Sequence, residues 1–176
     1  MRVAVFCSCS EGVSPYFLSE IESLGEELVR LGHQVVYGGS TSGCMGALAK
    51  GVLHAGGHLV GVVPELEFMD GNRHTGLTEE VVVKTMADRK TAIIQQSDAF
   101  LVFPGGIGTL DEAFEVLALK NIGAIQGPIL FYDYMDAFKP LLEAMQLMVE
   151  QRLIRRPLPE LLRVLDKVSD LRENLR

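Results

Sequence analysis

The chain has 176 residues, a net charge of −7 and three cysteines, and at that length it can bury most of its apolar surface in one domain without metal or disulfide staples. The acidic balance argues against a large basic nucleic-acid surface but is compatible with a local basic pocket around one phosphate. Cys7, Cys9 and Cys44 form no C-x-x-C pair, no run approaches membrane-span length, and the apolar start at 3–9 meets Glu11 too soon for a secretory signal. A cytoplasmic protein that engages neither nucleic acid nor membrane is therefore expected.

Short β-rich runs alternate with helical periods throughout, the pattern of a parallel sheet covered on both faces. A first strand at 2–7 turns Cys7 and Cys9 to one side, as reduced core or pocket-edge thiols. The helix that follows has Ser14 as N-cap, Pro15 at its first position and Phe17, Ile21, Leu24 and Leu28 on one face, and it stops near Gly32. A strand at 34–37 runs into the turn GGSTSGCMG (38–46), and a helix over 44–56 carries Met45, Leu48 and Val52 as its stripe. After a strand at 58–63, residues 64–78 show no period, and so long a loop reads equally as a surface excursion and as a pocket lid. A strand at 80–83 leads to a helix after Thr85, with Thr85 and Asp88 as a capping pair and Ile93 and Ile94 buried. A strand at 99–103 enters PGGIGTLDE (104–112) and a helix with Leu110, Phe114 and Leu117 facing inward. Strands at 128–132 and 161–165, a helix over 137–150 with Pro140 in its first turns, and a short polar helix at 168–176 complete the chain. The expected fold is α/β: a single-domain, Rossmann-like parallel sheet over residues 1–176 with helices on both faces.

Both glycine turns join a strand to a helix start, where unpaired amides and the positive end of the macrodipole can bind a phosphate. In an open parallel sheet the two turns belong on one edge, as two walls of a crevice. Neither turn fits a dinucleotide fingerprint or a P-loop, since Asp111 replaces the third glycine and no Gly-Lys-Ser/Thr ending is present. Thr109 and Glu112 also satisfy a capping box, so Glu112 reads either as a helix cap or as a functional carboxylate. Arg89 and Lys90 sit early in a helix, where cations oppose the macrodipole, and such local violations are commoner at functional sites. His54 and His58 are separated by helix-breaking Gly56 and Gly57 and cannot pair on one helix face, so no metal is expected. His33, beside a helix-ending glycine, and His74, in the irregular loop, are expected at the surface.

MADRK (86–90) followed by PGGIGTLDE resembles the paired signatures, R-K and P-G-G-x-G-T-x-x-E, of the LONELY GUY (LOG) family of cytokinin-activating phosphoribohydrolases. YGGSTSGCMG (37–46), GVVP (61–64), HTGLTE (74–79) and SDAF (97–100) are similar to that family too, and the likeness runs from about residue 3 to residue 154. The resemblance implies hydrolysis of the N-glycosidic bond of a nucleoside 5′-monophosphate to a free base, adenine or an N6-modified adenine, and ribose 5-phosphate. It also implies a homodimer with the active site near the interface.

On this reading Glu112 stabilises an oxocarbenium-like ribose while orienting water or ribose hydroxyls, and Arg89 holds ribose hydroxyls or phosphate and lowers the Glu112 pKa. The amides of Gly105, Gly106, Gly108 and Thr109 cradle the phosphate, with Ser10, Gly39, Ser40, Met86 and Lys90 as further substrate-binding candidates. Members of the family have often been labelled lysine decarboxylases, but no lysine here has the context of a pyridoxal phosphate aldimine, and no cofactor is expected. The chain departs from the family pattern at CSCS (7–10), at Ser40, at MADRK and in ALKNIGAIQGP (118–128), where Leu119, Asn121, Ile125 and Gly127 replace Trp, Gln, His and Lys. A carrier of a phosphorylated cofactor, like the molybdenum-cofactor carriers, and a nucleotide sensor without turnover remain the alternatives.

Overall fold

Alternation along each strand divides the apolar side chains between two layers. In β1 (Arg2–Phe6), Val3 and Val5 face one side and Ala4 and Phe6 the other. The same split recurs in β2 (Gln34–Tyr37), β5 (Ala99–Val102) and β6 (Ile129–Tyr132), as a strand buried on both faces requires. With β3 (Leu59–Pro64), β4 (Glu79–Val83) and β7 (Arg163–Leu165) they form one parallel seven-stranded sheet in the order β4-β3-β2-β1-β5-β6-β7. The computed structural model describes residues 1–66 and 71–175.

One face is covered by α1 (Pro15–Arg30) and α2 (Gly43–His54), with Ile21, Leu24, Leu28, Leu48 and Val52 fully buried against it. The other takes Ile93 of α3 (Met86–Gln95), Ala113, Val116 and Leu117 of α4 (Ile107–Asn121) and Met145 of α5 (Lys139–Glu150). Helices on both faces of a parallel sheet are the expected Rossmann-like architecture. Strand order reverses at β1, between β2 and β5, and ligands bind in the crevice beyond the carboxyl ends of the strands at such a switch point. Both glycine turns open there.

Several local expectations are corrected. Phe114, placed inward by its spacing, is 42% exposed, and Ala113 and Val116 take the core-facing positions instead. The span 161–165 is split: a short helix, α6 (Leu158–Leu161), ends where the strand was expected to begin, and β7 starts at Arg163. The C-terminal segment forms a 3-10 turn and α7 (Leu171–Asn174), which bury Leu171 and Leu175 rather than lying polar on the surface. His33 is half-buried beside Leu175, and burial pushes its pKa down. Of the irregular loop, residues 67–70 lie outside the described residues. The rest docks on the first glycine turn: the Asn72 carbonyl accepts from Thr41 N, and His74 N donates to the Gly39 carbonyl. Among the described residues no helix is long and apolar enough to cross a membrane.

Candidate active site

The first residue of α4 decides how Glu112 is read. The helix starts at Ile107 with Gly106 as N-cap, and the Gly106 carbonyl accepts from Leu110 N at 3.1 Å. Thr109 is therefore inside the first turn rather than at the cap, and Glu112 lies beyond reach of a capping box. Glycine supplies the extended N-cap backbone (φ −88°, ψ −157°) without a side chain, so the Thr-x-x-Glu spacing is coincidental to capping. Glu112 does not cap α4.

Glu112 instead points inward and is 6% exposed, opposite Arg89 at 7%. Arg89 Nη1 donates to Glu112 Oε1 at 2.9 Å, joining α3 to α4. Arg89 lines the crevice from a fully folded turn that Thr85 caps by accepting from Asp88 N at 3.0 Å. Its guanidinium lies against Gly38, the residue after β2: a Cβ built there would stand 1.7 Å from Arg89 Nη2. A side chain at 38 would displace the guanidinium from this position, so the first glycine turn serves the arginine.

Burial pushes the Glu112 carboxyl above its ordinary range, and the charge and hydrogen bond of Arg89 oppose that without reversing it. The expectation that the arginine brings this pKa down is thus met in sign but outweighed by desolvation. Asp111 raises the Glu112 pKa further and Lys90 lowers it. Cys7, buried nearby, has its thiol pushed well up by burial and by the charges of its neighbours, Glu112 among them, which keeps it neutral.

A crevice of about 290 Å³ gathers most of the sequence candidates. Ser10, Ser40, Met86, Arg89, Lys90, Gly106, Gly108, Thr109 and Glu112 all line it. Gly39 and Gly105 do not. Gly39 holds a left-handed turn (φ +77°) against Val63, and Gly105 leaves room for the Thr109 hydroxyl, which would lie 2.1 Å from a Cβ. Their glycine character is structural. Lys90 lines the wall, but its ammonium is engaged by Asp111 and Glu115.

Sequence reasoning missed Gly38, Ser42 and Asn72. Asn72 reaches the crevice from the irregular loop, where its Oδ1 accepts from the Ser42 hydroxyl at 3.1 Å. The only signal in the sequence was the loop's length. At the opposite wall, Ile107, Gly108 and Thr109 line the same space, and their amides, in the first turn of α4, have no intrahelical acceptors. Among the described residues no three His, Cys, Asp or Glu gather as a metal-binding group.

Residues 45–175 match the protein family described as "Possible lysine decarboxylase". A cytokinin riboside 5′-monophosphate phosphoribohydrolase of Rhodococcoides fascians is 38% identical over 141 residues, covering 80% of this chain and 71% of that protein. A probable cytokinin riboside 5′-monophosphate phosphoribohydrolase of Oryza sativa subsp. japonica, LOGL2, is 35% identical over 154 residues. That match covers 88% of this chain and 63% of the rice protein, so the chain spans less than two thirds of this relative's length. The molybdenum cofactor binding protein of Rippkaea orientalis has the same fold, with a TM-score of 0.70 and 22% identity over 98% of this chain and 93% of that one.

Proposed function

The chain belongs to the LOG family, whose sequence model carries the description possible lysine decarboxylase, and on that premise we propose that it hydrolyses nucleoside 5′-monophosphates to a free base and ribose 5-phosphate. The observation that carries the reading is the buried Arg89–Glu112 pair, which lines one crevice together with the first turn of α4 and its unpaired amides. The phosphate sits at the α4 N-terminus, where three amides and the helix dipole converge on negative charge. Glu112 faces C1′ of the ribose. As the bond from C1′ to the base nitrogen breaks, its electron pair leaves with the base and positive charge grows on the ribose, which the carboxylate stabilises. Water adds to C1′, and its proton is lost to solvent or to the departing base. Arg89 orients Glu112 and donates to ribose or phosphate oxygens.

Lysine decarboxylation is a poor fit for this crevice. Its lysine, Lys90, is held by two carboxylates that push its pKa up, opposite to what a Schiff-base lysine requires. A passive carrier needs the phosphate cradle alone, whereas the buried ion pair, which is costly to desolvate, is placed where turnover would use it. The proposal includes a homodimer in the cytoplasm. Ile107, 84% exposed at the mouth, and Phe114 seven residues on along the same helix leave apolar surface that a second copy would cover. The direct test is incubation with AMP and with adenosine. Free adenine released from AMP and not from adenosine supports the reading; adenine from neither defeats it.

A further inference from the structure

Lys90 follows Arg89 on α3 and Asp111 precedes Glu112 on α4, so the two helices meet through two adjacent sets of charges. Outside the Arg89–Glu112 pair, Lys90 Nζ lies 3.0 Å from Asp111 Oδ2 and 2.7 Å from Glu115 Oε2. Asp111 and Glu115 are four residues apart on one helix face, with Glu112 between them in sequence. Like charges at that spacing repel. A cation between them removes the repulsion and ties the helix that carries Glu112 to the helix that carries Arg89.

Glu115 does not line the crevice, so one of the two anions draws the ammonium away from any ligand. The Lys90 side chain is 21% exposed and Glu115 is 31% exposed, so the contact is shielded from water more than an ordinary surface pair. Arg89 reaches Glu112 through a long flexible side chain, and α3 and α4 share an apolar layer further along, with Ile93 of α3 and Ala113 and Val116 of α4 in one cluster. Lys90 adds a charged restraint beside the pair itself, from the next residue.

We infer that Lys90 is a positioning residue that clamps α3 to α4 and holds the Arg89 guanidinium on Glu112, rather than a contact for the substrate phosphate. The kinetic part of this inference rests on the phosphoribohydrolase reading; the geometric part does not.

Lys90→Gln, Glu115→Gln, their double variant and Lys90→Arg, each in the full chain, separate the two roles. With AMP, Lys90→Gln lowers kcat about tenfold and leaves KM within about twofold, short of the hundredfold that a full ångström of misplacement can cost. Glu115→Gln lowers kcat in the same direction by less, because Asp111 still holds the ammonium. The double variant is no slower than Lys90→Gln alone, and Lys90→Arg recovers most of the rate. The acid limb of kcat/KM moves to higher pH in Lys90→Gln, since a cation near Glu112 is lost while Arg89 remains and Asp111 and the neutral Cys7 stay in place. A tenfold rise in KM with kcat unchanged in Lys90→Gln, together with a silent Glu115→Gln, overturns the clamp in favour of a phosphate contact. A second readout needs no substrate: the Arg89 side-chain Nε–H resonance is sharp in the unsubstituted protein and broadens in Lys90→Gln. If no form of the protein hydrolyses AMP, the proposed reaction falls and this resonance alone decides; an unchanged Arg89 signal then overturns the clamp.

Discussion

The two glycine turns read alike in sequence, each a strand running through small residues into a helix, yet the chain engages the first helix start and not the second. At the first turn, the chain itself engages the start of α2: the first-turn amide of Met45 donates to the Ser8 carbonyl at 3.1 Å, and the turn is further tied to Asn72 and His74. Its glycines make room, Gly38 for the Arg89 guanidinium and Gly39 for a left-handed bend against Val63. At the second, α4 begins at Ile107 behind the Gly106 N-cap, and the residues of its first turn, whose amides lack intrahelical acceptors, line the crevice. Glycine content therefore does not locate a phosphate site by itself. What distinguishes the two is whether another part of the chain already occupies the helix end.

The largest expected effect comes from breaking the first turn's service to the arginine. Gly38→Ala places a methyl group on the guanidinium, and AMP hydrolysis falls about a hundredfold or more as Arg89 is displaced. Wild-type turnover in a folded Gly38→Ala protein would contradict the assignment of that turn. At the second turn, Ile107→Pro removes one amide donor from the first helical position, where proline is tolerated, and the extended N-cap backbone of Gly106 suits a following proline. The side chain lost is 84% exposed. Ribose 5-phosphate should bind about tenfold more weakly, as for one lost hydrogen bond to a charged group. Titration calorimetry reads this, and unchanged affinity would move the phosphate elsewhere.

A smaller effect sharpens the electrostatic side of the comparison. Because burial raises the Glu112 pKa, the acid limb of kcat/KM lies above the ordinary carboxylate range, with activity gained as pH rises through the raised value. The folded state retains this proton above the pH at which the unfolded chain releases it. Glu112 therefore contributes a loss of stability as pH rises from the ordinary value to the raised one. A limb at or below the ordinary value would mean that Arg89 outweighs desolvation. The smallest change is expected for Ser42→Ala at the first turn. Ser42 makes no side-chain cap and its hydroxyl donates to the exposed Asn72, so the loss of stability read from melting should be less than about 0.5 kcal/mol.

Period-two and helical patterns located the strands and most of the main helices within about two residues, because each element has a face that must be buried, whereas α4 starts three residues before the expected Thr109 cap would place it. Arg89 and Glu112 were legible as candidates through a broken helix rule and a conspicuous turn. Their proximity followed from the family resemblance and from no local pattern, since it depends on α3 and α4 lying side by side across 23 residues of sequence. Thr109 was misread as the cap because its spacing to Glu112 imitates a capping box, while Gly106 caps with backbone alone. Asn72 was hidden because its place is fixed by bonds to Thr41 and Ser42, about thirty residues away, that no local pattern encodes.

Glu112→Gln is the sharpest trial of the whole account. Glutamine keeps the size and an oxygen for Arg89 to donate to, and removes only the charge that the reacting ribose needs. AMP hydrolysis should fall about a hundredfold or more, as when a preorganised transition-state contact is removed. Ribose 5-phosphate, held by the α4 amides, should still bind. A variant that releases adenine at the unsubstituted rate, or that loses turnover only because ribose 5-phosphate no longer binds, would contradict the claim that Glu112 carries the chemistry and α4 the phosphate.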